Sequence, residues 1–228
     1  EIYSGSNVSD CHTNANVMSS GSTVGGLIGY NNSAIVENCS SYGSVNGKNQ
    51  VGGLIGKNEG DVISSQSAAV ITGSGDNIGG LIGLNNGGDI SHSFSEGEVN
   101  GKKNTGGLIG FNGYNGSTIT NCHSTANVIG TIHVGGLVGF NQDGLIELCY
   151  STGSVNGETE TGGLVGYMAY GSSVISQCFS TSEVFGQHSN IGGLVGAIQS
   201  GTIVNSYAVG TASGNNKVGG LVGEIKWA

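Results

Sequence analysis

Proline and arginine are absent from this 228-residue sequence, and only 9% of its residues carry charge. Six lysines stand against 15 acids, giving a net charge of −9. Such a surface has little with which to neutralise phosphate, so no nucleic acid or anionic membrane partner is expected. No apolar run approaches the roughly 18 residues that span a bilayer, and membrane insertion is not expected either. A sustained 3.6-residue apolar period is missing too, which leaves no serious competition from helix. The chain opens Glu1-Ile2-Tyr3 with no start methionine or signal segment, and its last pattern, Gly219 to Gly223, is unfinished. Lacking recognisable capping units, it reads as a piece of a longer protein.

What is plentiful is glycine, 46 residues of it. A glycine-rich chain without proline would suggest disorder if it had no period. Here Val24-Gly25-Gly26-Leu27-Ile28-Gly29 returns in close copies with first glycines at Gly25, Gly52, Gly79, Gly106, Gly135, Gly162, Gly192 and Gly219. The steps are 27, 27, 27, 29, 27, 30 and 27 residues. A fixed period of this size marks a solenoid or array. Eight units use the whole chain, so residues 1–228 are read as one elongated repeat domain.

A second segment of the unit aligns on Cys11, Cys39, Ser65, Ser93, Cys122, Cys149, Cys178 and Ser206. Small or apolar residues follow it two, four and six positions on, as in Ser124, Ala126 and Val128. That two-residue alternation is the period of a strand with one inward face. Three positions before the column lies an aliphatic, from Val8 to Ile203, out of phase with that face. A bend would let both point inward, and glycine is the expected source of it. Polar residues just before the column, such as Asn38, Asn121 and Gln177, are expected to face water.

These patterns predict an all-β fold, a parallel β-solenoid (β-helix) of about eight coils, one coil per repeat of about 28 residues. Two or three short strands per coil at about 4.8 Å spacing would make a rod of order 40 Å. A β-propeller is the alternative, though its blades commonly need about 40 to 50 residues. Stacked leucines, from Leu27 to Leu221, form one predicted ladder, and Asn31, Asn58, Asn85, Asn112 and Asn141 form another. The asparagine ladder gives way to Met168, Ile198 and Ile225, where a local change of packing is expected.

Gly-Gly-Leu-Ile/Val-Gly followed by Asn, Ile-x-x-Cys/Ser, an aromatic and Val-x-Gly resembles the GLUG repeat over nearly the whole chain. GLUG repeats occur in bacterial surface and secreted proteins, beside immunoglobulin A metallopeptidases and in large adhesin-like chains. The resemblance implies an extracellular, cell-surface or secreted setting. It implies no catalysis here, because the peptidase motif His-Glu-x-x-His is absent.

The cysteines share an inward column with serine and read as buried free thiols, with Cys11 and Cys39 the pair best placed to be an exception. No Cys-x-x-Cys, clustered histidine or Gly-Gly-x-Gly-x-Asp turn suggests a metal, and no cofactor is implied. His12, His92, His123, His133 and His188 read as scattered over different coils and columns, without a nucleophile or carboxylate. Glu96 and Glu98 read as neighbours on one strand face, the nearest approach to a polysaccharide-cleaving pair, and solvated acids are the plainer reading. No catalytic residue is assigned.

Directly after the cysteine column, five successive coils carry Phe94, His123, Tyr150, Phe179 and Tyr207. If exposed, this stripe would bind a host glycan or protein; if the rings cover one another, it stabilises the rod. Tyr30, Phe111, Phe140 and Tyr167 make a second stripe with the same two readings, since Leu27 and Ile28 would point to opposite faces. The leading expectation is a non-enzymatic stalk or spacer module. Its partners would be other domains of the parent protein and, through open strand edges, further copies of itself.

Overall fold

The computed structural model describes residues 1–2, 5–114 and 116–226. Among them all regular structure is strand, and every strand pairs in parallel with its counterparts one coil away. The result is a β-solenoid of eight coils with three sheets running along it. One sheet stacks the aliphatic column, through strands such as Ile90–Ser91, Thr118–Thr120 and Leu145–Glu147. A long composite sheet carries the segments after the cysteine column, such as His123–Ser124, Asn127–Ile129 and Ile132–Gly135. The third stacks the strands that follow the leucine, such as Ile82–Asn85, Ile109–Asn112 and Val138–Gln142. Equivalent residues sit side by side, Ile90 on Ile119 on Ile146, and Val99 on Val128 on Val155.

The leucine ladder is the spine of the main interior. Leu54, Leu81, Leu108, Leu137, Leu164 and Leu194 are fully buried, and their backbones are linked by bonds such as Leu81 N to Leu108 O, 2.9 Å. Each such burial contributes roughly 1.5–3 kcal/mol. Leu27 and Ile28 do not diverge as the alternation predicts. The chain turns a corner between Val24–Gly25 and Ile28–Asn31, so both side chains enter the same core. The aliphatic column and Cys39, Cys122, Cys149 and Cys178 join them. A second, narrower core lies at the other end of the long sheet, where Val45, Ile71 and Val99 meet Val24, Val51 and Ile78.

The motif glycines sit at the corner with the leucine, but not for the sake of a left-handed backbone. None of Gly25, Gly26, Gly29 or their copies has positive φ. They are needed for closeness instead. A Cβ on Gly107 would lie 2.0 Å from Gly136 O of the next coil and 2.3 Å from Ser124 Oγ. The serine column is small for the same reason, and Ser95 Oγ and Ser151 Oγ donate across the interior to Gly107 O and Gly163 O, at 2.5 and 2.6 Å.

The bend between the aliphatic and cysteine columns falls on the residue just before the cysteine. Asp10, Asn38, Ser64, His92, Asn121, Leu148, Gln177 and Asn205 all adopt left-handed φ of 49–54°. The predicted exposure of this position holds for Asn38, Ser64, Asn121, Gln177 and Asn205. Asparagine tolerates that conformation and leucine does not, yet Leu148 occupies it while 47% exposed. Leu148→Asn should therefore raise stability by about 1 kcal/mol, read as an upward shift of the urea midpoint with unchanged slope.

The asparagine ladder is continuous and buried. Asn31 Nδ2 donates to Asn58 Oδ1, Asn58 to Asn85, Asn85 to Asn112 and Asn112 to Asn141, at 2.7–2.8 Å. Asn58 and Asn85 also each donate to a turn carbonyl, of Gly60 and Gly88. At the end of the run Asn141 accepts from Asn112 and donates only to its turn carbonyl, Gly144 O, because Met168 rather than an amide follows it. The packing changes there as expected, since Met168 and Ile198 enter the main core.

Candidate functional site

The five stripe residues are brought together, and they cover one another. Ring centroids are 4.9 Å apart for Phe94–His123, 4.7 Å for His123–Tyr150, 5.0 Å for Tyr150–Phe179 and 5.3 Å for Phe179–Tyr207. Interplanar angles of 4–7° make this a face-to-face stack, imposed by strand register. The broad faces are spent within the stack and the edges of Phe94, His123, Tyr150 and Phe179 are half-buried; Tyr207, in the last coil, is exposed. Burial lowers the pKa of His123 against the opposing pull of Glu96, which favours a neutral ring in the stack.

The second stripe turns outward from the interior as its own cluster. Phe111, Phe140 and Tyr167 pack with Leu84, Ala169 and Ala197 on the outer side of the third sheet. Phe111 meets Phe140 edge-on at 4.9 Å, and Phe140 stacks against Tyr167 at 5.3 Å. Beside these rings runs a polar ladder that the sequence reading missed. It is the position just before each Val/Thr/Ile-Gly-Gly-Leu, held by Thr23, Gln50, Asn77, Asn104, His133, Glu160, Asn190 and Lys217, all in left-handed backbone.

In its middle Asn104 Nδ2 donates to Asn77 Oδ1 at 2.8 Å, and His133 Nδ1 pairs with Asn104 Oδ1 at 2.7 Å. His133 Nε2 lies 2.7 Å from Glu160 Oε2, and Lys226 pairs with the other carboxylate oxygen while lying 4.8 Å over the Tyr167 ring. His133 is thus not isolated. It stands 27 positions before Glu160, one repeat period, and that spacing was the available signal. His12 and His123 likewise share one column, since both follow a cysteine.

Burial by itself would raise the Glu160 carboxyl, but hydrogen bonds from His133 and Lys226 outweigh it and hold the pKa at about 2. The carboxylate therefore stabilises the fold fully above its ordinary pKa of about 4.3, and that contribution fades as pH falls toward 2. Glu160→Gln should lose about 1–2 kcal/mol at pH 7, discounted for partial solvent access, and the difference from wild type should shrink between pH 5 and about 2. Urea unfolding at several pH values reads both effects.

The remaining candidates do not converge. Glu96 and Glu98 are exposed, and Gly97 with φ 95° parts the strand Phe94–Ser95 from Glu98–Asn100, so they do not share a strand face. Asp61 and Asp89 accept turn N–H groups of the next coil, from Asp89 at 3.1 Å and Thr118 at 2.8 Å. The cysteines are free; Cys11 is exposed and the other four are buried. Burial raises the Cys149 thiol well above its ordinary pKa, which favours an unreactive group. No group of three or more His, Cys, Asp or Glu capable of holding a metal ion occurs among the described residues.

Register, ladders and glycine corners define the class: a repeat protein built as a parallel β-solenoid. Within that class, the GLUG motif matches residues 102–129 and 130–156, two adjacent repeats at the centre of the rod. Searches of curated proteins and of solved structures returned no match.

Proposed function

We propose that this chain is a non-catalytic spacer, a stiff stalk module of a bacterial cell-surface or secreted adhesin-like protein, holding other domains of that protein away from their anchor. The observation that carries the reading is the unbroken lateral bonding. From the second coil to the seventh, each coil is hydrogen-bonded to a neighbour on both sides in all three sheets. A buried leucine ladder, an asparagine ladder and a ring stack run along the same axis, so bending the rod would strain several columns at once. The bacterial surface setting is what the resemblance to GLUG repeats implies, and the motif itself matches at residues 102–129 and 130–156.

Two measurements test the proposal in the parent protein. Antibody against this segment should label intact cells or culture supernatant; labelling only after lysis would contradict the setting. Deleting two whole repeats should shorten the stand-off of the distal domain by about 10 Å and leave that domain's own activity intact. Loss of that activity would count against a spacer.

A second reading makes the ring stack an adhesive surface for host glycan or protein, favoured by the exposed Tyr207 at its end. Capture of a host ligand that is lost in Tyr207→Ala and Tyr150→Ala would favour it over the spacer. End-to-end association of rods through open strand edges is a further expectation, read from the dependence of sedimentation on concentration.

A further inference from the structure

The repeat period is broken in coils that face one another across Phe140. Ile119 follows Asn112 by seven positions and Ile175 follows Met168 by seven, whereas Ile90 follows Asn85, and Ile146 follows Asn141, by five. The longer turns carry Tyr114 and Tyr170, at φ 78° and 60°, a conformation bulky residues rarely adopt. Both rings stand out from the rod, 60% and 57% exposed. Tyr114 stacks on Phe111 at 5.1 Å and Tyr170 meets Phe140 at 6.3 Å, so the added tyrosines wall a trough floored by the buried second stripe.

The trough has a volume of about 310 Å³. The rest of its wall is polar: Asp76, Asn77, Lys103 and Asn104, with His133 stacked on the Tyr167 ring at 4.8 Å. Asn77, Asn104 and His133 are fixed in advance by their mutual hydrogen bonds and by Glu160 behind them. The one acid and the one lysine on the wall offset each other. Aromatic rings beside mixed donors and acceptors, without net charge, match a ligand with an apolar C–H face and a hydroxylated rim. Another depression of similar size, beside Phe185, has a single ring in its lining.

We infer that the groove between Tyr114 and Tyr170 is a binding site for a neutral pyranose sugar, a monosaccharide or a short segment of a glycan. The sugar's C–H face lies on the tyrosine and phenylalanine rings, and its hydroxyls meet Asp76, Lys103 and the Asn77–Asn104 pair. The site is distinct from the Phe94–Tyr207 stack and does not depend on the spacer reading. A stalk can carry it without altering its own geometry.

The test is saturation-transfer difference NMR on the full chain with a panel of methyl glycosides of neutral hexoses and N-acetylhexosamines, beside a proline-rich peptide. At least one glycoside should receive saturation at its ring C–H protons. Affinity should fall at least tenfold in Tyr114→Ala and in Tyr170→Ala, stay within threefold in Tyr170→Phe, and be unchanged in Tyr207→Ala. The substituted side chains are exposed, and an unchanged far-UV spectrum verifies that the rod persists. Absence of transfer across the glycoside panel overturns the proposal. So does transfer indifferent to both tyrosines, or binding confined to the peptide.

Discussion

Gly107→Ala is expected to destabilise the rod by more than about 4 kcal/mol, while Gly220→Ala, at the same motif position in the last coil, should cost no more than about 1 kcal/mol. Both are the second glycine of the Gly-Gly-Leu corner. A methyl group on Gly107 would lie 2.0 Å from the Gly136 carbonyl of the next coil, whereas one on Gly220 meets nothing within 4 Å. Backbone on one side and a serine from the long sheet on the other leave no flexible group to give way, so the coils must part. Because intercoil bonds such as Gly107 N to Gly135 O run through the same corner, parting them breaks sheet pairing as well. Equal urea midpoints for the two variants would contradict this account of the glycines.

Leu108→Asp should be comparably severe, at more than about 4 kcal/mol, whereas Glu98→Gln should fall within about 0.5 kcal/mol of the parent. Leu108 is fully buried in a ladder between Leu81 and Leu137, where a carboxylate would meet apolar side chains above and below and no cation. Glu98 is exposed, and its described side-chain bond is from Asn100 Nδ2 at 2.9 Å. Leu221 provides the graded case: it holds the same column but is 40% exposed, so its replacement by Asp should cost much less than at Leu108. In a chain whose units contact only their neighbours, a central break is also more damaging than a terminal one. Similar stabilities for the Leu108 and Glu98 variants would show that the leucine column does not face the interior.

The columns were legible because identical side chains recur at one period, and stacking places them side by side. Leucine, serine, asparagine and the Phe94–Tyr207 rings all declared themselves in that way. The corners did not. Asn38, Ser64, His92 and Leu148 share a left-handed backbone and no side-chain chemistry, so a column defined by conformation looks like noise in composition. The glycines were legible as positions but not as causes, since closeness to the next coil's backbone becomes visible only after stacking. His133 and Glu160 were separable by their one-period spacing, yet the surrounding Thr23, Gln50, Asn77 and Asn190 disguised the column as variable polar surface. Tyr114 and Tyr170 lay outside every column, because aligning repeats sets aside the insertions that hold them.

The central claim is that equivalent residues climb one axis by one strand spacing per coil. Electron–electron distance measurements test it most directly, using spin-labelled cysteines on a chain with Cys11 replaced by serine. Asn16, Ser44, Val70 and Glu183 occupy one column of the long sheet, six, five and four coils apart when each is paired with Glu183. The separations should be about 29, 24 and 19 Å between backbone positions, a linear gain of about 4.8 Å per coil. Distances that do not rise with coil number, as in a ring of blades, would contradict the solenoid.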